Sequence, residues 1–235
     1  MDSKSSKNYR LVAIIFMGMT AAMNLLGGIG TVCAAFIEEY SIVLGVKSVL
    51  RANKFDHTMK YKIFMFVAII IGIFGIWATI KLVKGGKNVF RNALIILVVG
   101  TIASFIHYNT SMQIRGEGTP ANVKFFSNVG TLIVFLLFLL PSIRDKVDFS
   151  KPGGNAEKTG GGLTAIMAGL LTLTTFYWVG SSHIFNGVNW VEDLTFSLVV
   201  LGSGFILIGG GVISGVVMDK VRQRRIESVI DGSEV

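Results

Sequence analysis

Charge is scarce in this chain. Asp, Glu, Lys and Arg make up 15% of its 235 residues, where a soluble domain carries about a quarter. It holds one cysteine, Cys33, so no internal disulfide can form; a lone cysteine in apolar sequence reads as a small buried residue. It holds three histidines, at 57, 107 and 183. It has no phosphate-binding Gly loop with its Lys, no HExxH, no CxxC, and no two histidines within one apolar run. No cofactor is therefore expected, and the common nucleotide, zinc and haem motifs are excluded. Nor is any polar stretch long enough to fold as a second domain.

What the chain has instead is long uncharged apolar runs; 51% of its residues are hydrophobic. The first, Leu11–Ile37, is 27 residues without Asp, Glu, Lys or Arg. As a helix it would extend ~40 Å, more than the ~20 residues a bilayer crossing needs. It is also too long for a signal-peptide core. Five more runs follow, at about 63–80, 92–108, 125–143, 163–180 and 194–218. The expected fold is all-α: one polytopic transmembrane bundle of six spans. Residues 144–162 combine Gly, Pro and mixed charge and are expected to form a flexible linker. Residues 219–235 form a basic tail.

Six spans put both termini on one side. Most of the 22 Lys and Arg fall on that side, in 1–10, 81–91, 144–162 and 219–235. The bias predicts cytoplasmic termini, and the net charge of +8 points to anionic lipids as partners, not nucleic acid. The basic segment 40–62 is the exception. It suits a short helix in the membrane interface or an amphipathic loop. It would be cytoplasmic if the first run were a re-entrant hairpin. The hairpin Ile76–Val99, a span, a Lys/Gly turn and a second span, resembles a generic arrangement in small prokaryotic membrane proteins. That implies a cytoplasmic (inner) membrane.

Two kinds of candidate residue stand out. Asn24 lies inside the first run, where a side-chain amide must face another helix or a wet cavity. Beside it, Gly27, Gly28 and Gly30 can bend or break the helix, and broken helices are one way to build a midplane site. Gly211 and Gly215 form a GxxxG pair, a helix-packing motif. At the outer ends of the spans gather Glu38, Glu39, His107 and His183, the only weak candidates for a metal or cation; His107 is nearest the hydrocarbon. The acids also read as solvated loop ends.

Three functions are open, ranked by chemistry. The spans as drawn contain no Asp, Glu, Lys or Arg, and intramembrane charge is the usual mark of a transport pathway. A structural or accessory subunit of a membrane assembly, with a homo-oligomeric or membrane-protein partner, therefore comes first. A passive channel or small-solute transporter, suggested by Asn24 and the glycines, comes second. A membrane enzyme with an outer-face site comes third, with no catalytic residue to name.

Overall fold

The structure is a computed structural model describing residues 3–48, 56–180, 184–185, 187–189 and 191–230. Helices dominate it. Helix α1 (Ser3–Ile29) is followed by α2 (Val32–Phe36) and α3 (Glu38–Val43). Then come α4 (Thr58–Lys84), α5 (Val89–Arg115), α6 (Ala121–Leu137), α7 (Pro141–Arg144), α8 (Asn155–Leu173) and α9 (Thr175–Val179). A two-stranded hairpin pairs Ile184–Phe185 (β1) with Val188–Asn189 (β2), turning at Gly187 with φ 78°. This is the connection where the sequence carries its Asn-Gly signal; Asn186 itself lies outside the described residues. The long α10 (Thr195–Ile230) closes the chain.

Helix α1 is the axis. It packs against α4, α6 and α8, while α5 lies against α4 and α6, and α10 against α8. Small residues make the approaches close. Across α1 and α4, Gly75 meets Ala21, Gly72 meets Leu25, and Gly28 meets Ile69 and Met65. A methyl group at any of these glycines would collide with its neighbour. Where lipid surrounds the helices, such packing replaces the hydrophobic drive of water. The contacts continue beyond the break at Gly30–Thr31, since Ala34 and Ala35 of α2 cluster with Tyr61 near the start of α4. The first run thus proceeds along α4 and does not turn back, so the re-entrant alternative is not what forms.

The surface is the reverse of a soluble protein's. Large apolar side chains point outward: Ile63, Phe66, Ile70, Ile73 and Phe74 on α4, and Ile95, Val99, Ile102 and Ile106 on α5, are all exposed. The buried set is rich in Ala, Ser, Thr and Asn. An apolar belt on that scale marks a surface made for lipid. Four stretches are long and apolar enough to cross a membrane: Asn8–Phe36, Thr58–Lys84, Val89–Arg115 and Glu192–Ser228. Six were expected. The helices at the other two positions are α6, a shorter apolar helix of 17 residues, and α8, rich in Gly and Thr.

Other boundaries differ from the sequence reading. Helix α8 begins at Asn155, not Leu163, and buries Glu157, Gly160 and Gly162, so the linker's last eight residues are helix. The rest of the linker is docked. Gly153 N donates to Val83 O at 2.8 Å, Gly86 N donates to Phe149 O at 3.1 Å, and Phe149 stacks on Phe90 at 5.2 Å. In the 40–62 segment, helix ends at Val43 and Gly45 turns the chain with φ 69°. Val46 is fully buried, so the short interfacial helix does not run on past Val43 in the described part; residues 49–55 lie outside it.

Candidate functional site: a buried lysine–histidine centre

Helix α6 carries the decisive side chains. Its buried residues are Ala121, Lys124, Asn128, Thr131 and Phe135, three or four apart, so they share one face. That face meets α1 and α5. Lys124 therefore enters the core on the stripe that brings Asn128 and Phe135 there. It is 1% exposed. This corrects the sequence reading, which left Lys124 as an outer-loop charge and drew the fourth span from Phe125. The spanning bundle does contain a Lys.

Gly27 explains how Lys124 fits. A Cβ there would collide with the Lys124 Cγ and Cδ, so the missing side chain is the slot for the lysine stem. Gly100 does the same for Asn128, whose Oδ1 occupies the place of a Cβ. At the stem's end, Lys124 Nζ lies 3.0 Å from His107 Nδ1 on α5. Which of the two nitrogens donates is set by the His107 tautomer. The His107 ring is stacked on Phe64 at 4.4 Å and meets Tyr61 edge-on at 5.7 Å. Tyr61 in turn shares a hydrogen bond with Ser111 at 3.2 Å.

Asn24 joins the same network from α1. Asn128 Nδ2 donates to Asn24 Oδ1 at 3.3 Å and to Lys124 O at 2.8 Å, and Asn24 Nδ2 donates to Thr20 O at 2.9 Å. One helical turn along, the Thr20 and Thr131 hydroxyls meet at 2.6 Å. Asn24 thus links α1 to α6, and Lys124 links α6 to α5.

What the network lacks is an acid. Among the described residues no Asp or Glu forms an ion pair with Lys124 or His107. His107 Nε2 is buried and has no hydrogen-bond partner. A void of ≈ 10 Å³ lies on the Lys124 side, bordered by Asn24, Ser104, His107 and Lys124. A second, of ≈ 10 Å³, lies on the other side of His107. Each admits about one water.

The remaining candidates scatter. Gly28 packs on α4, and Gly30 sits at the break between α1 and α2. Glu38 accepts a hydrogen bond from Lys47 at 2.7 Å on the surface, which raises the Lys47 pKa. Glu39 is exposed, and His183 lies outside the described residues. Among the described residues no three His, Cys, Asp or Glu are grouped to hold a metal. Gly211 and Gly215 face open space. The glycines that pack α10 on α8 are Gly202 against Gly169 and Gly209 against Gly162, a seven-residue repeat on both helices.

A second buried pair stands at the opposite end of the bundle. Arg10 Nη2 donates to Leu82 O at 3.0 Å, and Arg10 Nε is 4.0 Å from Glu157 Oε1. Both side chains are nearly inaccessible, at 6% and 3%, and they tie α1, α4 and α8 together.

The outward apolar belt and the polar interior define a helical membrane protein with several membrane-crossing helices. No family model matches the chain, and no curated protein or solved structure matches it. The particular activity must be argued from the site.

Proposed function

We propose that the protein is a six-span carrier for a small charged solute, with Lys124 and His107 as the charged centre of its pathway. Lys124 carries the proposal. His107 sits eight residues before the end of α5, about 12 Å inside it at the usual helical rise. An ionisable side chain at such depth is expensive and is by default a functional site. A hydrophobic residue of similar volume would fill the Gly27 slot equally well.

The six-span topology rests on helix directions. Contacts from α1 run antiparallel to α4 and α6 (Thr20 with Thr131, Gly27 with Lys124) and parallel to α8 (Leu11 with Gly160, Gly18 with Thr164). Helix α10 is antiparallel to α8. That alternation supports a topology in which the start of α1 and the end of α10 share one end of the bundle with Lys84, Arg91 and Lys158. The positive-inside bias makes this end cytoplasmic, in contact with anionic lipids, and a prokaryotic inner membrane suits it.

A permanently open pore fits poorly, because the voids beside His107 hold about one water each. A site that opens alternately to the two sides fits better. The accessory-subunit reading drew on spans free of ionisable residues, and Lys124 removes that support. One observation still favours it: the outward face of α10, with Gly204, Gly211 and Gly215 open, suits a further helix, from a partner or a second copy.

Reconstitution tests the carrier. Vesicles containing the wild type should dissipate imposed gradients of a small ion, read by an internal dye. Vesicles containing Lys124→Met should behave like protein-free ones. Background flux from the wild type across a panel of small ions and solutes would overturn the proposal.

A further inference from the structure

A cavity of ≈ 420 Å³ lies among α1, α4, α8 and α10. Small residues hollow it out: Gly18 and Ala22 on α1, and Gly161, Ala165 and Ala168 on α8. Larger apolar side chains, among them Ile76, Ile80, Phe205 and Ile208, complete the lining. Ile80 and Ile208 also belong to the outward apolar belt, at 47% and 62% exposed, so the cavity is a groove open toward lipid. Two threonines line it, and their protons are committed within their own helices. Thr79 Oγ1 donates to Gly75 O and Thr164 Oγ1 to Gly160 O, each at 2.8 Å. A buried water needs two to four polar partners and finds few here. The lining suits hydrocarbon.

Charge enters the lining at one end only. Lys84 is the last residue of α4, and Lys158 is in the first turn of α8. Both are exposed. No Asp or Glu lines the groove. Lys158 Nζ lies 4.0 Å from Asp219 Oδ2, with the two side chains 46% and 61% exposed, so solvent screens that pair. Among the described residues Lys84 forms no ion pair. From Lys158 to Ala168 the lining follows α8 for ten residues, about 15 Å at the usual helical rise. That is half of the ~30 Å hydrocarbon core. The groove therefore has the depth of one leaflet, with its two cations at the headgroup end. In the orientation argued above that leaflet is the cytoplasmic one, whose anionic lipids attract basic residues.

We infer that this groove is a binding site for one anionic glycerophospholipid of the cytoplasmic leaflet. One acyl chain lies in the groove, and the phosphate pairs with Lys84 and Lys158. A zwitterionic lipid brings the same chain but offsets its phosphate with its own cation, so the two lysines make the site selective. The inference uses the orientation proposed above and does not depend on what Lys124 and His107 carry.

Native mass spectrometry tests it, on the full chain purified in a neutral detergent and titrated with phosphatidylglycerol. One phosphatidylglycerol should be retained per chain and should survive excess phosphatidylcholine. Lys84→Gln or Lys158→Gln should weaken retention roughly fivefold, and the two together roughly thirtyfold. Asp219→Asn releases Lys158 and should strengthen it. Ala165→Phe fills the groove, keeps both lysines and should abolish retention. The lysine variants lie at exposed positions and keep the test sound if Ala165→Phe fails to fold. Glycerol phosphate, a headgroup without chains, should not displace the lipid. Equal retention of phosphatidylcholine, retention unchanged in the double lysine variant, or displacement by glycerol phosphate overturns the inference. So does an oligomer that Ala165→Phe breaks while lipid retention is unchanged, because a second copy would then fill the groove. Flux decides the carrier separately: vesicles that carry a solute while phosphatidylglycerol fails to bind leave the carrier standing and remove only the lipid site.

Discussion

Replacing Lys124 with Met or with Ala separates a lysine kept for its charge from one kept for its packing. Methionine fills the Gly27 slot with a flexible stem of similar length and removes the ammonium. Lys124 is 1% exposed, and among the described residues its Nζ hydrogen-bonds His107 Nδ1 at 3.0 Å. A buried ion carries a penalty of several kcal/mol, and a hydrogen bond to a charged group returns only ~1.5–3 kcal/mol. Removing both should leave stability unchanged or raise it by up to about 2 kcal/mol, the freed His107 Nδ1 absorbing part of the gain. Alanine removes three methylene groups from a packed slot. In a soluble core such truncations lose 2–5 kcal/mol; in lipid the packing part remains, about 2 kcal/mol. For a chain of this size each kcal/mol moves the unfolding midpoint by about 2–4 °C. Alanine also removes the ion, so thermal unfolding in detergent should give Lys124→Met a shift between zero and about +6 °C, and place Lys124→Ala about 6 °C below Lys124→Met. Flux in vesicles should be lost in both. If Met destabilises as much as Ala while flux is unchanged, Lys124 is structural glue and the reasoning fails.

The α8–α10 seam predicts a contrast between neighbouring glycines. Gly209→Leu drives a side chain into the Gly162 backbone and should cost about 1–3 kcal/mol by overpacking, whereas Gly211→Leu meets nothing within 4 Å and should leave the monomer's midpoint unmoved. A drop in oligomer size on a native gel for Gly211→Leu alone would instead reveal a partner helix there. Asn24→Ala removes the acceptor for Asn128 and should lower stability by roughly 0.6–2 kcal/mol, the range for buried polar contacts between membrane helices; a neutral result would mean that Asn128 re-pairs within α6. Arg10→Met leaves Glu157 buried and uncompensated and should cost about 3–5 kcal/mol, and adding Glu157→Gln should recover most of that loss in the same unfolding assay. No recovery would show that the Arg10 bond to Leu82 O, not the charge pair, holds that end.

The membrane class was legible because it is written in composition and run length, which neighbours cannot override. All six apolar runs correspond to helices, and Asn24 behaves as a polar tie between helices because a buried amide has few alternatives. Gly27 was legible as a special position but not in its role. It does not break α1; it makes room for a lysine on another helix, and only three-dimensional contact reveals that pairing. Gly211 and Gly215 match a packing motif by spacing, yet spacing cannot say which helix face is covered. The faces that pack are set by Gly202 and Gly209, whose partners Gly162 and Gly169 sit at the same seven-residue interval.

Lys124 was missed for an instructive reason. A span drawn by hydropathy stops at the first charge, so a charged residue one turn into a helix is assigned to the loop by construction. The periodic signal was nevertheless present: Lys124, Asn128, Thr131 and Phe135 fall on one helical face, and three of the four are polar. A polar stripe of that kind on an apolar helix cannot face lipid without leaving its groups unsatisfied. It must face protein or water, and the lysine must follow it. Moving Lys124 from the outer loop to the interior also sharpens the charge asymmetry, since the 109–124 loop then keeps Arg115 alone of its two basic residues. Arg115 is itself nine-tenths buried. Both basic residues of that loop thus belong to the bundle, close to His107. In the carrier proposed above, this end of α5 and α6 would be the way in to Lys124 and His107, which is why the Lys124 substitutions test the pathway and the packing together.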